Sequence, residues 1–175
     1  MAFETEGSNI IYQGRVFDVR QDQVRMPDGK LVRFDVVAHH GAVTILPVDD
    51  EGQVWFVRQY RHPAKTVLLE LPAGVMEEGE APEVSARREV REEIGMAAGE
   101  LRSIGTFYLA PGYSTEFMYV FLATHLTAAP LKGDEDEFIS IEKIPVQQVV
   151  QMVEDGRVQD AKTLAALFLA QPYLV

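Results

Sequence analysis

Residues 74–96 read GVMEEGEAPEVSARREVREEIGM, and their spacing predicts a loop, a helix and a stop. Pro82 suits a first helical position, where its missing N–H is no loss. Gly95 suits the left-handed conformation that ends a helix. Between them Ala86, Val90 and Ile94 recur every four residues and draw one apolar stripe. Glu89, Glu92 and Glu93 fall at i, i+3 and i+4, which gathers three carboxylates on a neighbouring face. Like charges so placed repel by roughly 0.2–0.5 kcal/mol per pair in an isolated helix. An acidic, solvated helix face tolerates that repulsion. A hard divalent cation relieves it, because such ions take oxygen ligands.

The spacing beyond the helix separates the two readings. Gly74 is followed after five residues by Glu80. Seven residues later come Arg88-Glu89 and an apolar Val90, and one residue on Glu92-Glu93, then Gly95 and an apolar Met96. Seven fixed identities at a background near 6% each would arise by chance on the order of once in 10⁸ windows or rarer. The pattern resembles the Nudix box at every defined position. The resemblance implies a metal-dependent hydrolase that cleaves a nucleoside diphosphate linked to another group. It also implies Glu89, Glu92 and Glu93 as ligands of Mg²⁺, with Mn²⁺ able to substitute, and the carbonyl of Ala73 as a backbone ligand.

Outward from the box, the flanking sequence reads as short strands. Residues 42–48, AVTILPV, are nearly all apolar, as in a strand buried on both faces. Residues 53–60 and 67–71 are further strands, and Glu70 is an odd carboxylate within the second, one that needs a partner if buried. Arg58 and Arg61 near a strand end match phosphate oxygens bidentately, or are the solvated end of a strand. Residues 102–109, 116–124 and 139–144 read as strands, and Pro145–Glu154 and Asp160–Ala170 as amphipathic helices. Towards the N-terminus, residues 9–19 read as an edge strand or hairpin arm, and residues 22–26 and 31–38 flank the turn Pro27-Asp28-Gly29-Lys30. Phe17 and Arg33 fit an ordinary sheet surface.

The expected fold class is α+β, an α/β/α Nudix sandwich. A mixed β-sheet core is flanked by helices, and residues 1–40 form an N-terminal antiparallel β extension ahead of a hydrolase domain at 41–175. The 175 residues suffice for one sizeable core, and no internal repeat or linker interrupts them. There is no run of 18 apolar residues, the length a membrane span needs. The start MAFETEGSNI lacks the basic and apolar segments of a signal peptide. Cysteine is absent, which removes disulfides, thiolate metal sites and cysteine nucleophiles and fits a cytoplasmic protein. A net charge of −11 and a pI of about 4.8 argue against long nucleic acids as partners. They leave room for a small phosphorylated substrate held through ions and local arginines.

Further segments narrow the substrate by resemblance. Phe56–Arg61, Leu69–Gly74, Ala110-Pro111-Gly112 and Asp160-Ala161-Lys162-Thr163 are similar to the ADP-ribose pyrophosphatase subgroup, and Pro111 lies 15 residues past Met96 (111 − 96), as it does there. That likeness implies AMP and ribose 5-phosphate as products, with GDP-mannose or other NDP-sugars as alternative substrates, and a non-catalytic nucleotide sensor as the alternative of another class. It implies substrate contacts from Arg61, Arg58, Glu70 and Glu116, and from Phe17 and Arg33 across a homodimer. Catalysis is assigned to Glu93 and to a general base in the acidic run 134–137, Glu135 first and Glu137 second. Carboxylates that ligate an ion are poor bases, so the base is sought outside the box. Arg88 is expected to pair with box carboxylates, and Glu80 to be structural.

Overall fold

A computed structural model of the chain describes residues 2–133 and 138–174. In order, the elements are β1 (Glu4–Gln13), β2 (Asp18–Arg25), β3 (Leu31–Ala38), β4 (Ala42–Pro47), β5 (Gln53–Arg61), β6 (Thr66–Glu70), β7 (Ala73–Val75), α1 (Pro82–Glu93), β8 (Met96–Tyr108), β9 (Phe117–Ala128), β10 (Ile139–Pro145), α2 (Val146–Glu154) and α3 (Ala161–Ala170), followed by a 3₁₀ turn at Gln171–Tyr173.

The apolar run at 42–48 is the centre of the fold. Every residue of β4 is buried, and the strand lies between β7, antiparallel to it, and β9, parallel to it. With β8 on the far side of β9, this makes a mixed four-stranded sheet in the order β7-β4-β9-β8. Strands β10, β5 and β6 form a second sheet, wholly antiparallel. Side-chain alternation sorts residues onto two cores. Val43, Ile45, Trp55, Val57, Phe121 and Ala123 pack with Ala86, Val90 and Ile94 of α1. Leu46, Val54, Phe56 and Val120 face the other way, against Val149 and Met152 of α2 and Ala166, Leu167 and Ala170 of α3. The result is the expected α/β/α arrangement. Burying a side chain such as Phe56 or Val90, both wholly inaccessible, stabilises by roughly 1.5–3 kcal/mol. Phe56→Ala would cost about 3–5 kcal/mol, because a void adds to the lost transfer energy.

The N-terminal strands pair antiparallel in the order β1-β2-β3 as a separate sheet. The predicted turn closes β2 onto β3, with Gly29 at φ +87° and its N–H donating to the Met26 carbonyl at 2.8 Å. The sheet joins the rest of the chain at Val37, whose N–H donates to the Tyr113 carbonyl (2.8 Å) and whose carbonyl accepts from the Thr115 N–H (2.9 Å).

Three details differ from the sequence reading. The stretch 9–19 is not one strand: it breaks at Gly14, whose N–H donates to the Phe17 carbonyl at 3.1 Å. A Cβ at Gly14 would stand 2.5 Å from that oxygen, so the tight link between β1 and β2 requires glycine. Strand β8 starts at Met96, six residues before the predicted 102 (102 − 96), in Ala-, Gly- and Glu-rich sequence of weak strand preference that its pairing with β9 overrides. Strand β7 is three residues long and went unpredicted, because its only credential is the ladder it makes with β4.

Candidate active site

Helix α1 begins at Pro82 and gives way to Gly95 at φ +72°, as the spacing predicts. Ala86, Val90 and Ile94 are buried, and that fixes the rotation of the helix. The rotation turns Glu89 and Glu93 toward the loop at Ala73-Gly74. The contact there is close: a Cβ on Gly74 would sit 2.0 Å from the Glu89 carboxyl carbon and from Oε1. No side chain fits between them, which is the physical reason for glycine at the first box position. Glu93 Oε2 accepts the Ala73 N–H at 3.1 Å. Helix and loop are thus joined at two consecutive residues.

Arg88 binds three carboxylates at once. Its Nε and Nη2 donate to Glu80 at 3.1 and 3.0 Å, and its Nη1 donates to Glu89 at 2.6 Å and Glu92 at 2.9 Å. Longer bonds run from Nη2 to Ser85 Oγ (3.3 Å) and to the Val75 carbonyl (3.4 Å). The Glu80 bonds, then the charge of Glu89, raise the guanidinium pKa further above its ordinary value. The same bonds hold the Glu80 carboxyl below the usual carboxylate range. Arg88 therefore spans loop and helix as expected. Ser85, fully buried beneath it, had no signal beyond a polar residue near the apolar stripe.

Glu70, the odd carboxylate of β6, is buried and has the partners it needs. Arg61 donates to it from Nε and Nη2, both at 2.8 Å, and Lys162 of α3 pairs with it as well. Burial, the largest single influence, pushes the Glu70 carboxyl up, but the Arg61 and Lys162 interactions outweigh it and hold it low. Glu70 raises the Arg61 pKa first by hydrogen bonding, and Glu93 and Asp160 add to the effect through their charge. Arg61 and Glu70 thus lie within the electrostatic reach of the box.

The remaining predicted residues lie on other elements. Arg58 is exposed on β5 and donates to Glu142 of β10 at 3.0 Å. Glu116 is half-buried just before β9, where its N–H donates to Ser114 Oγ at 3.1 Å. Its charge acts on His39, whose pKa is lowered chiefly by burial. Phe17 is exposed in the β1–β2 link, and Arg33 is exposed on β3 opposite Gln23. Glu135 and Glu137 lie outside the described residues. Among the described residues no three acidic or histidine side chains already enclose an ion-sized space. Glu89 and Glu92 instead share Arg88, while Glu93 turns to the Ala73 N–H.

A carboxylate-bearing helix locked to a glycine loop on an α/β/α sandwich defines a class, and comparison with known proteins agrees. The NUDIX domain matches residues 38–167, and the chain belongs to the Nudix family. The nucleoside diphosphate sugar hydrolase N-terminal domain matches residues 3–37. The chain is 40% identical over 166 residues to an ADP-ribose pyrophosphatase of Bacillus subtilis, covering 94% of this chain and 90% of that protein. It is 38% identical over 168 residues to an ADP-ribose pyrophosphatase of Mycobacterium tuberculosis, covering 94% and 81%. A crystal structure of an ADP compounds hydrolase superposes with a TM-score of 0.87 over 99% of this chain and 95% of that one, at 24% identity, and is similar in fold.

Proposed function

We propose that the chain hydrolyses the diphosphate of ADP-ribose to AMP and ribose 5-phosphate. The seating of Glu89 and Glu93 against Gly74 and Ala73, with Glu92 beside them on Arg88, supports the chemistry, and the likeness to ADP-ribose pyrophosphatases over 94% of the chain supports the substrate. The donors this reading assigns are all oxygens, the carboxylates of Glu89, Glu92 and Glu93 and the Ala73 carbonyl, and oxygen donors suit a hard divalent cation such as Mg²⁺, or Mn²⁺ in its place. Bound there, such an ion supplies charge neutralisation at the diphosphate and a more acidic attacking water.

The chain's own groups do the rest in this reading. Arg61, with Arg58 behind it on the same strand, orients phosphate oxygens, and Glu70 fixes the plane of the Arg61 guanidinium through two bonds. Glu116 contacts the substrate. Phe17 and Arg33 hold the nucleotide from the N-terminal sheet of a second subunit. Water adds to one phosphorus, the bridging P–O bond breaks, and the proton goes to Glu135, or to Glu137 in second place. The resemblance stated above and the involvement of every box carboxylate in other bonds support a base from that run.

A homodimer is part of the same reading. It is supported by the exposed apolar residues Ile10, Ile11, Tyr12, Leu31, Val32 and Phe34 of the N-terminal sheet. A cytoplasmic location accords with a chain that has no cysteine to oxidise. Among the described residues no helix is long and apolar enough to cross a membrane.

Hydrolysis of other NDP-sugars is the second reading, favoured by the match of residues 3–37. A release assay over ADP-ribose, GDP-mannose and other NDP-sugars, with and without Mg²⁺, decides between them. The expected result is AMP from ADP-ribose in the presence of Mg²⁺ only, at the highest kcat/KM of the panel. Preference for GDP-mannose reverses the order of the readings. Binding without turnover of any compound leaves a nucleotide sensor.

A further inference from the structure

The segment Asp160-Ala161-Lys162-Thr163 has no part in the chemistry just described, yet α3 is the one described α-helix with a side-chain cap, and that cap does more than cap. Asp160 caps α3 by accepting the Thr163 N–H at 3.0 Å, which is all a cap requires. The same oxygen also accepts the Thr163 hydroxyl at 2.6 Å and pairs with Lys162 Nζ at 3.0 Å. A hydroxyl has one proton and two lone pairs. Thr163 gives its proton to Asp160 and therefore presents a lone pair to the Leu71 N–H, which donates to it at 2.9 Å across 92 residues of chain. Lys162 reaches the neighbouring residue, Glu70, which is itself held by Arg61.

Residues 70–73 are consequently fixed one after another by different elements. Glu70 is held by α3 and β5, Leu71 by α3, Pro72 through its carbonyl by the Ile45 N–H of β4 (2.8 Å), and Ala73 through its N–H by Glu93 of α1. Thr163 is fully buried, and Glu70 is 1% exposed. Buried ions are a weak source of stability, because desolvation offsets their attraction, but they are demanding in geometry. A cap that served α3 alone would need neither the ammonium nor the second bond of the hydroxyl.

We propose that Thr163, Asp160 and Lys162 are positioning residues that set the loop Glu70–Ala73, and through it the Ala73 carbonyl, for the cation of the active site. This rests on the metal reading given above. The test is direct Mn²⁺ titration of the full chain, followed by electron paramagnetic resonance without substrate, together with thermal melts. Thr163→Val keeps the shape and removes the hydroxyl. It is expected to weaken Mn²⁺ binding roughly 10–100-fold, the usual range when a supporting group of a metal site is lost. Thr163→Ser should restore binding to near the wild-type level. A Thr163→Val protein that melts earlier but binds Mn²⁺ like the wild type overturns the proposal, as does a Thr163→Ser protein as weak as Thr163→Val. Should Thr163→Val not fold, Asp160→Asn decides. Asparagine caps a helix as well as aspartate, but its bonds to the hydroxyl and the ammonium lose their charge assistance. About tenfold weaker binding supports the role, and unchanged binding removes it. Wild-type protein that takes up no Mn²⁺ would sink the metal reading and this role together; intact wild-type binding beside an unaffected Thr163→Val would sink this role alone.

Discussion

Along α1 the apolar residues Ala86, Val90 and Ile94 are 0–3% exposed, and each box carboxylate meets a donor from the same chain. Along β1 every residue is exposed, with Ile10, Ile11 and Tyr12 at 57, 60 and 59%. The helix is complete within one chain. The N-terminal sheet ends in the edge strand β1, with no strand beyond it among the described residues, and carries uncovered apolar side chains, features that favour an interaction surface. In the proposed reading the contrast divides the labour: the chemistry falls to the part that closes on itself, and assembly, with its share of the substrate contacts, to the part that does not.

The sharpest break of that division is at Glu93. Glu93→Gln keeps an acceptor for the Ala73 N–H but loses the charge, so melting should change little while kcat falls roughly 10³-fold, the several kcal/mol a neutralising ion gives a phosphoryl transfer. Near-wild-type turnover would remove Glu93 from the metal set. Arg88→Ala should act in the opposite sense, on stability. It removes the counter-charge that Arg88 gives Glu80, Glu89 and Glu92. The loss should be roughly 2–4 kcal/mol, at the low side of the range for a buried ion pair because Arg88 retains 24% exposure. Melts in chelator should show the full loss, and added Mg²⁺ should recover part of it by taking over the neutralisation. No recovery would dissociate the carboxylate cluster from the ion.

In the N-terminal sheet, Ile11→Asp paired with Tyr12→Asp should convert a dimer of about 39 kDa, twice the 19.6 kDa chain, into monomers. Light scattering reads the mass, and the KM for ADP-ribose should rise about tenfold, or 1.4 kcal/mol. A wild-type chain that scatters as a monomer with full activity would erase the division of labour. The smallest effect expected is acid sensitivity at the box. The folded Glu80 carboxyl titrates below its ordinary value of 4.5, held there by Arg88. Its contribution is complete above that ordinary value and is lost as pH falls through the lower, folded one. Glu80→Gln should therefore lower the Tm at pH 7 and flatten its decline below about pH 4.5. A parallel decline in both proteins would show that other carboxylates carry the acid response.

The same contrast explains what could be read in advance. The α1 boundaries, its buried stripe and the gathering of its glutamates follow from a 3.6-residue period and from Pro82 and Gly95, all local. The doubly buried β4 follows from an unbroken apolar run. Glu70 announced the need for a partner, because a buried carboxylate alone is too costly. Its partners Arg61 and Lys162 lie 9 and 92 residues away, separations at which no periodicity operates. Strand β7, the early start of β8 and the break at Gly14 were not legible, since each exists through pairing or through a clash with a particular distant or turned-back atom.

The sequence by itself determined the family, the box helix and the chemical character of the site. A helix is a local object, and the spacing of its residues already states which carboxylates share a face. Tertiary structure alone decided that Gly74 is where Glu89 must press and that the start of α3 holds the loop at Leu71. Those facts depend on where distant backbone segments cross, which is set by the packing of two cores against β4 and is written in no single stretch of residues.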